Sequence, residues 1–275
     1  MKAHLLARDR DFDPGAKLPA NADELVQDLE LDVILDAMAA KDVFLRGVAR
    51  TALLSATAND AAVVRYRQDA LDDCLAHLDT VQALYALSVE ALEKERKNFF
   101  GILGGYPGSI LSRSTDVMKM FAEMLKRLRD IAAGCRADFR SDAFRTFFDM
   151  LVEELGDDYL AEIERHLHDL RFGAGVVVSA RLGEGGRGQD YVLREPRETD
   201  RSWLTWLMSA RPESHTYQLP PRDEQGARDL SDLNDRGINL VANATAQSND
   251  HIKSFFAQIR AELAFYLGCG LGYGE

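Results

Sequence analysis

The 275-residue chain has little of what builds disulfides, zinc sites or membrane spans. Its three cysteines, Cys74, Cys135 and Cys269, are odd in number and show no C-x-x-C spacing, which argues against both a disulfide framework and a zinc site. No apolar run approaches the roughly 20 residues of a membrane span. The N-terminus meets charged residues before an apolar run forms, so no signal peptide is expected. These absences predict a cytoplasmic protein that does not bind a membrane.

Sequence motifs for nucleotide or metal chemistry are also scarce. The chain has no P-loop sequence, G-x-x-x-x-G-K-[ST], and neither H-E-x-x-H nor E-x-x-H occurs in it. Gly183, Gly185 and Gly188 spell G-x-G-x-x-G, but dinucleotide binding needs a helix after the glycines. Here strand-forming residues follow, and then Pro196. We therefore expect a hairpin turn at these glycines, and no enzymatic activity, cofactor or metal ion in this chain alone.

The net charge of −12 restricts how the chain could bind nucleic acid. An acidic protein does not attract phosphate over its whole surface, so any contact must be local. Residues 171–236 carry ten arginines against eleven acidic residues and are therefore close to neutral. By composition, this segment is the candidate for a phosphate-binding patch.

The spacing of apolar residues predicts a mainly α-helical protein. Residues 1–22 contain breakers and predict an extended lead-in, whereas helical spacing through residues 23–170 predicts a multi-helix core domain. Within that core, Ser114 is expected to cap a helix. The period changes in residues 171–222, for which we predict a small β-hairpin, 175–182 with 189–194, followed by irregular structure.

Residues 223–275 are predicted to form a long C-terminal helix. Apolar and small residues recur at spacings of three, four and four from Leu230 to Tyr266, and this eleven-residue repeat keeps one stripe on one side of a straight helix. The centre of the stripe is small, at Gly237, Ala244 and Ser248, so close packing of another helix is expected there. The alternative is a helix in two pieces that is broken at Gly237.

Arg181, Arg187 and Arg194 lie on or beside the predicted hairpin and are the candidate contacts to DNA phosphates. A glycine-rich tip lets the backbone approach a phosphate, and arginine side chains can pair with it. The alternative is a solvated hairpin edge that charge protects from aggregation, since Glu184 and Asp190 lie among the arginines.

Two segments carry a resemblance to a known family. In residues 52–75, ALLSATANDAAVVRYRQDALDDCL, a helix end near Ser55 is followed by a turn, the capping residue Asp60 and a charged helix. Residues 236–269 form the second segment, and with residues 25–100 they give two matching regions in the right order, so the resemblance extends over roughly the whole chain. Together they resemble the core and lever region of MutS-related proteins, the DNA mismatch-repair ATPases, in a subfamily that begins directly at the core.

The resemblance implies a function for the whole protein. This chain would be a core and lever module without the ATPase domain, and it would couple a nucleotide-binding domain to an end that faces DNA. The full-length protein would be a DNA-binding ATPase and a homodimer, so DNA is the expected partner. The alternative, favoured by the acidic charge, is a helical scaffold for protein–protein interactions with no role in nucleic-acid binding.

Overall fold

The computed structural model describes residues 1–55, 60–99, 107–171, 176–186, 188–194 and 224–272. Within these ranges the chain forms nine α-helices and one antiparallel two-stranded hairpin, so the predicted mainly α fold is confirmed. The elements are α1 (Ala22–Asp28), α2 (Leu31–Ala39), α3 (Val43–Leu54), α4 (Ala61–Ala76), α5 (Leu78–Phe99), α6 (Pro107–Cys135), α7 (Asp142–Glu154), α8 (Asp157–Asp169), β1 (Val177–Leu182), β2 (Gly188–Arg194) and α9 (Glu224–Gly272).

Local sequence signals account for several helix ends. The Asp60 carboxylate accepts a hydrogen bond from the Ala62 amide at 2.8 Å and so begins α4, as the sequence predicts. Ser55 follows the last residue of α3, also as predicted. The predicted cap at Ser114 is wrong, because α6 begins at Pro107 and Ser114 is buried inside that helix.

The chain divides into two compact units, each with its own core. The first unit comprises Met1–Ile102, Val117–Arg165 and Ser248–Glu275. Its core is rich in aromatic side chains that are almost completely removed from water, which supplies much of the hydrophobic stabilisation of this unit. These side chains are Phe121, Phe144, Phe147, Phe148, Phe256 and Tyr266.

The second unit comprises Leu103–Asp116 and His166–Gln247. Its core is small. Leu111, Ile238 and Ala242 are buried at its centre, and partly buried apolar residues of α6, α9 and the hairpin surround them. Helix α9 therefore contributes its residues up to Gln247 to the second unit and those from Ser248 onward to the first.

Helix α9 runs unbroken from Glu224 to Gly272. The predicted long helix is confirmed, and the alternative of two pieces broken at Gly237 is not observed. In the described part of the chain, no helix is both long and apolar enough to cross a membrane.

The stripe predicted along α9 is confirmed at Gly237 and from Phe255 to Tyr266, but it is wrong at Ala244 and Ser248. Ala244 and Ser248 are exposed. The buried positions there are instead Ala242, Thr245 and Asn249. The Thr245 hydroxyl has a hydrogen-bond partner within the helix, because it donates to the Val241 carbonyl at 2.8 Å. Two of the buried positions are polar, so a search for apolar spacing could not identify them.

Candidate nucleic-acid interface

The predicted hairpin forms with nearly the predicted bounds. Strands β1 and β2 pair antiparallel, with Val178 opposite Leu193 and Ser179 opposite Val192. The register shifts between Ser179 and Arg181, and Arg181 lies opposite Gln189. Because side chains alternate between the two faces of a strand, Val178 and Leu193 share one face, while Ser179, its neighbour Val192 and Arg194 share the other.

The three glycines of G-x-G-x-x-G serve the hairpin turn. A short 3₁₀ turn, Glu184–Gly186, connects the strands, and Gly185 has a φ of 70°, which glycine adopts without strain. A Cβ atom at Gly183 would lie 2.4 Å from Cδ of Gln189, and one at Gly188 would lie 2.4 Å from the hydroxyl of Tyr191. Strand β2, and not a helix, follows this turn directly, so the predicted hairpin turn is confirmed in place of a dinucleotide site.

One face of the hairpin packs against the first half of α9. A Cβ atom at Gly237 would lie only 2.6 Å from Cγ2 of Val178, so glycine is what lets the helix and the strand approach this closely. Leu193 joins the small core around Ile238 and Ala242. The close neighbour predicted at Gly237 is therefore a strand of the hairpin and not another helix.

Arg236 is a contact that sequence reasoning missed. Its guanidinium lies over the ring of Tyr191, 5.8 Å from the ring centroid, in a cation–π arrangement. Tyr191 and Arg236 are far apart in sequence, and only the packing of the hairpin on α9 brings them together. The hairpin is therefore in contact with one arginine that its own sequence does not contain.

Two of the three candidate arginines lie on the opposite, outward side of the hairpin. Nε of Arg194 donates to the hydroxyl of Ser179 at 3.0 Å, which holds the side chain along the strand surface. Nη1 of Arg181 lies 3.4 Å from a carboxylate oxygen of Asp190. The hairpin thus brings Arg181 and Arg194 to one exposed surface, which we call the outward face and define by Ser179, Arg181, Asp190 and Arg194.

The ion pair on the outward face leaves Arg181 accessible. The side chains of Arg181 and Asp190 are 84% and 67% exposed, and ion pairs at this exposure contribute little free energy. A DNA phosphate, like a carboxylate, presents two anionic oxygens that arginine can bind in bidentate geometry. The arrangement can therefore exchange the Asp190 carboxylate for a phosphate oxygen at small cost.

The third candidate, Arg187, lies outside the described residues, as does the irregular part predicted for 195–222. In the ranges that are described, no group of three or more His, Cys, Asp or Glu side chains is placed to hold a metal ion. Besides the Asp190 carboxylate, the outward face offers two guanidinium groups and a hydroxyl, so what it can do chemically is bind an anion.

A comparison with protein families shows which family the chain belongs to. The model of the MutS2 N-terminal domain matches residues 59–271, well over half of the sequence. The chain belongs to the MutS2 N-terminal domain family. The predicted resemblance to MutS-related proteins is thereby confirmed. Searches among curated proteins and among solved structures found no match.

The MutS2 N-terminal domain match includes α4 to α9 and the whole hairpin. The candidate residues Arg181, Arg187 and Arg194 therefore lie inside the family region. Helices α1 to α3 and the residues before them lie outside the matched range, whereas the resemblance in sequence extends to residues 25–100 and over roughly the whole chain.

Proposed function

We propose that this MutS2 N-terminal domain is the core and lever module of a DNA-repair or recombination ATPase, and that it contacts the DNA backbone through the outward face of the hairpin. The observation that carries the proposal is the placement of Arg181 and Arg194 on one exposed surface of a family domain. The whole protein would contain the nucleotide-binding domain and would form a homodimer.

The chemistry of the outward face favours contact with phosphate rather than with bases. The two strands of the hairpin have six and seven residues and present only a few side chains. The hydrogen-bond donors that suit phosphate oxygens are the side chains of Ser179, Arg181 and Arg194. With a net charge of −12, the rest of the chain repels DNA. Binding would therefore be weak, sensitive to salt and indifferent to sequence.

Helix α9 is the proposed lever. It is unbroken, and it contributes residues to the cores of both units, through Ala242 in the second and Tyr266 in the first. A continuous helix transmits a displacement along its length because each turn is hydrogen-bonded to the next. In the proposed function, this helix couples the hairpin to the nucleotide-binding domain.

A helical scaffold for protein–protein interactions is the second candidate. Large apolar side chains are exposed near the start of the chain: Leu29 is 59% exposed, Val33 71%, Ile34 52% and Val43 85%. Exposed large apolar side chains that form a contiguous patch are typical of surfaces that bind another protein, and these four lie within a short stretch of sequence. Together with the acidic charge, they favour a partner other than DNA.

Charge reversal on the outward face separates the two candidates. The double substitution Arg181→Glu with Arg194→Glu should abolish binding to duplex and branched DNA at low salt, measured by electrophoretic mobility shift. The matched control is Arg145→Glu with Arg165→Glu, two exposed arginines of the first unit. Arg165, like Arg181, has an exposed acidic neighbour, Glu162 at 3.6 Å.

Both double variants change the net charge equally, so a general electrostatic effect would weaken both. The proposal requires loss of binding in the hairpin variant and substantial binding in the control. If the parent chain binds no DNA at low salt, or if the hairpin variant binds as well as the parent, the proposed DNA contact is contradicted and the scaffold function is favoured.

A further inference from the structure

The N-terminal segment, residues 3–12, buries its apolar side chains in the first unit although it forms neither helix nor strand, while its residues 8–11 are exposed. Ala3, Leu5, Leu6 and Phe12 are each no more than 8% exposed. A buried segment without secondary structure must find hydrogen-bond partners for its backbone elsewhere, because unpaired buried amide and carbonyl groups are costly. The partners it finds are side chains.

A single carboxylate binds three backbone amides of the segment. Glu262 of α9 is completely buried, and it accepts hydrogen bonds from the amides of Leu5, of Leu6 at 2.9 Å and of Phe12 at 3.3 Å. Gln258, one turn before it on α9, donates to the same carboxylate at 2.6 Å and orients it.

The carbonyls of the segment are bound in the same way, by donors from α4 and α9. Four side chains each donate to one carbonyl oxygen. They are Tyr66 to His4 at 2.7 Å, Tyr266 to Leu5 at 2.7 Å, Arg67 to Leu6 at 2.9 Å and Gln258 to Phe12 at 2.8 Å.

This bonding is a mode of recognition rather than a continuation of secondary structure. The backbones of α4 and α9 are hydrogen-bonded within their own helices, so neither helix needs the segment in order to form. Their side chains form hydrogen bonds to the backbone of the segment, and Leu5 and Leu6 are buried in the apolar interior. Recognition of an extended peptide by main-chain hydrogen bonds, with pockets for its side chains, is a recurring binding mode.

Two further observations describe the conformation and the packing of the segment. His4 has a φ of 49°, a left-handed conformation that a non-glycine residue adopts when its surroundings impose it. A cavity also borders the segment, lined by Ala3 and Asp11 on one side and by Ile252 and Phe255 on the other. The segment is thus not closely packed along its whole length.

We propose that Tyr66, Arg67, Gln258, Glu262 and Tyr266 form a peptide-binding groove, and that residues 3–12 are its built-in, exchangeable occupant. The ligand class is an extended peptide with two adjacent leucines. All five groove residues lie within residues 59–271, the range matched by the family, whereas the occupant lies outside it. The groove residues therefore lie inside the family region, and the segment that occupies the groove lies outside it.

The test cuts the segment free after the chain has folded. A protease recognition sequence inserted between Ala16 and Lys17 lets the complete chain fold with the segment in place before cleavage. A synthetic peptide of residues 1–12, labelled at its C-terminus, is then titrated in, and exchange is followed by fluorescence anisotropy. We expect saturable binding of one peptide per chain and displacement of the label by unlabelled peptide.

Two controls make the result specific to the groove. A peptide with Leu5→Asp and Leu6→Asp should not bind, since charged side chains cannot enter the apolar interior. In the cleaved chain, Glu262→Gln should weaken binding by about tenfold or more, because one acceptor for the amides is replaced by a donor. The exposed residue Glu123 provides the matched variant, and Glu123→Gln should leave the affinity unchanged.

Two outcomes would overturn the proposal. In one, the cleaved chain stays folded but never exchanges its segment for the labelled peptide. In the other, loss of the segment is accompanied by loss of the cooperative thermal transition, which would make residues 3–12 an integral part of the core.

Discussion

The carboxylate of Glu262 accepts a hydrogen bond from the backbone amide of Leu6 at 2.9 Å, across 256 positions of sequence. The contact joins the start of the chain to the last turns of α9 in a place that water does not reach, since both residues are completely buried. Buried polar groups of this kind contribute to stability only while every partner is present. The N-terminal segment and α9 should therefore respond together to changes at residue 262.

Replacing Glu262 with glutamine should destabilise the chain and change its pH dependence. Burial raises the pKa of the Glu262 carboxyl above its usual value, and the hydrogen bonds from Gln258, Leu6, Phe12 and Leu5 counteract that rise. With a raised pKa, the carboxyl stabilises the fold below its unfolded pKa of 4.5, and this contribution is lost as the pH rises through the folded pKa.

Glutamine does not titrate, and its amide group would face a backbone donor, which costs about 1–3 kcal/mol. The cost of Glu262→Gln should therefore be largest at acidic pH and should shrink as the pH rises. Urea unfolding of parent and variant across this range measures it, and a cost that grows with pH would contradict the assignment.

Removing the hydroxyl of Tyr266 should cost more than removing that of Tyr66. Both donate to carbonyls of the N-terminal segment at 2.7 Å, but Tyr266 is completely buried whereas Tyr66 is half-buried. In Tyr266→Phe the Leu5 carbonyl has no substitute partner, at a cost of about 1–3 kcal/mol. Water can replace the hydroxyl in Tyr66→Phe, so its cost should stay below about 1 kcal/mol. Chemical denaturation measures the loss of stability in each variant. Equal losses would contradict the prediction that burial sets the cost of removing each hydroxyl group.

Alanine at Gly237 should loosen the hairpin although alanine favours helices. The new Cβ atom would collide with Val178, and overpacking of this kind costs about 1–3 kcal/mol, more than the gain of about 1 kcal/mol in helix propensity. Gly47 of α3 is the matched control, because a Cβ atom there meets nothing within 4 Å.

Gly47→Ala should therefore stabilise the chain, whereas Gly237→Ala should destabilise it and speed the hydrogen exchange of amides in β1 and β2. Adding Val178→Ala to Gly237→Ala should restore protection. Unchanged exchange in the single variant would mean that the strand can move aside without loss of pairing.

Substitutions at Ala244 test which side of α9 is buried. Ala244 is exposed and Ala242 is 1% exposed, so Ala244→Leu should lie within about 0.5 kcal/mol of the parent, while Ala242→Leu should cost about 1–3 kcal/mol. Ala244→Pro, at the same exposed position, should still cost about 3 kcal/mol or more because it removes a backbone donor inside α9. Thermal unfolding ranks the three variants. A large loss of stability in Ala244→Leu would show that residue 244 lies on the buried side of α9, as the sequence predicts.

The sequence was informative wherever the cause of the structure is local. Asp60 begins a helix because its side chain reaches an amide two residues later, and that is visible in a short stretch of sequence. The hairpin is visible for the same reason, since its strands are adjacent and glycines fill its turn.

Contacts between distant residues could not be predicted in this way. Nothing near Glu262 in sequence indicates that it binds the amides of Leu5 and Leu6, and the spacing of residues in α9 does not reveal that Val178 packs on Gly237. The buried face of α9 could not be predicted around Ala244 and Ser248, because two of the residues buried there, Thr245 and Asn249, are polar. Of the candidate site, the sequence predicted that Arg181 and Arg194 lie on one hairpin, but not that Arg236 packs beside it.

The central claim is that the outward face of the hairpin binds DNA phosphates, and the salt dependence of binding tests it most directly. Each phosphate contact contributes about 0.9 to the slope of log affinity against log salt. In a fluorescence anisotropy titration of duplex DNA, Arg181→Gln with Arg194→Gln should therefore reduce the magnitude of the slope by about 1 to 2 relative to the parent. The control, Arg145→Gln with Arg165→Gln, should keep the parent slope. A hairpin variant with the affinity and the slope of the parent would contradict the claim.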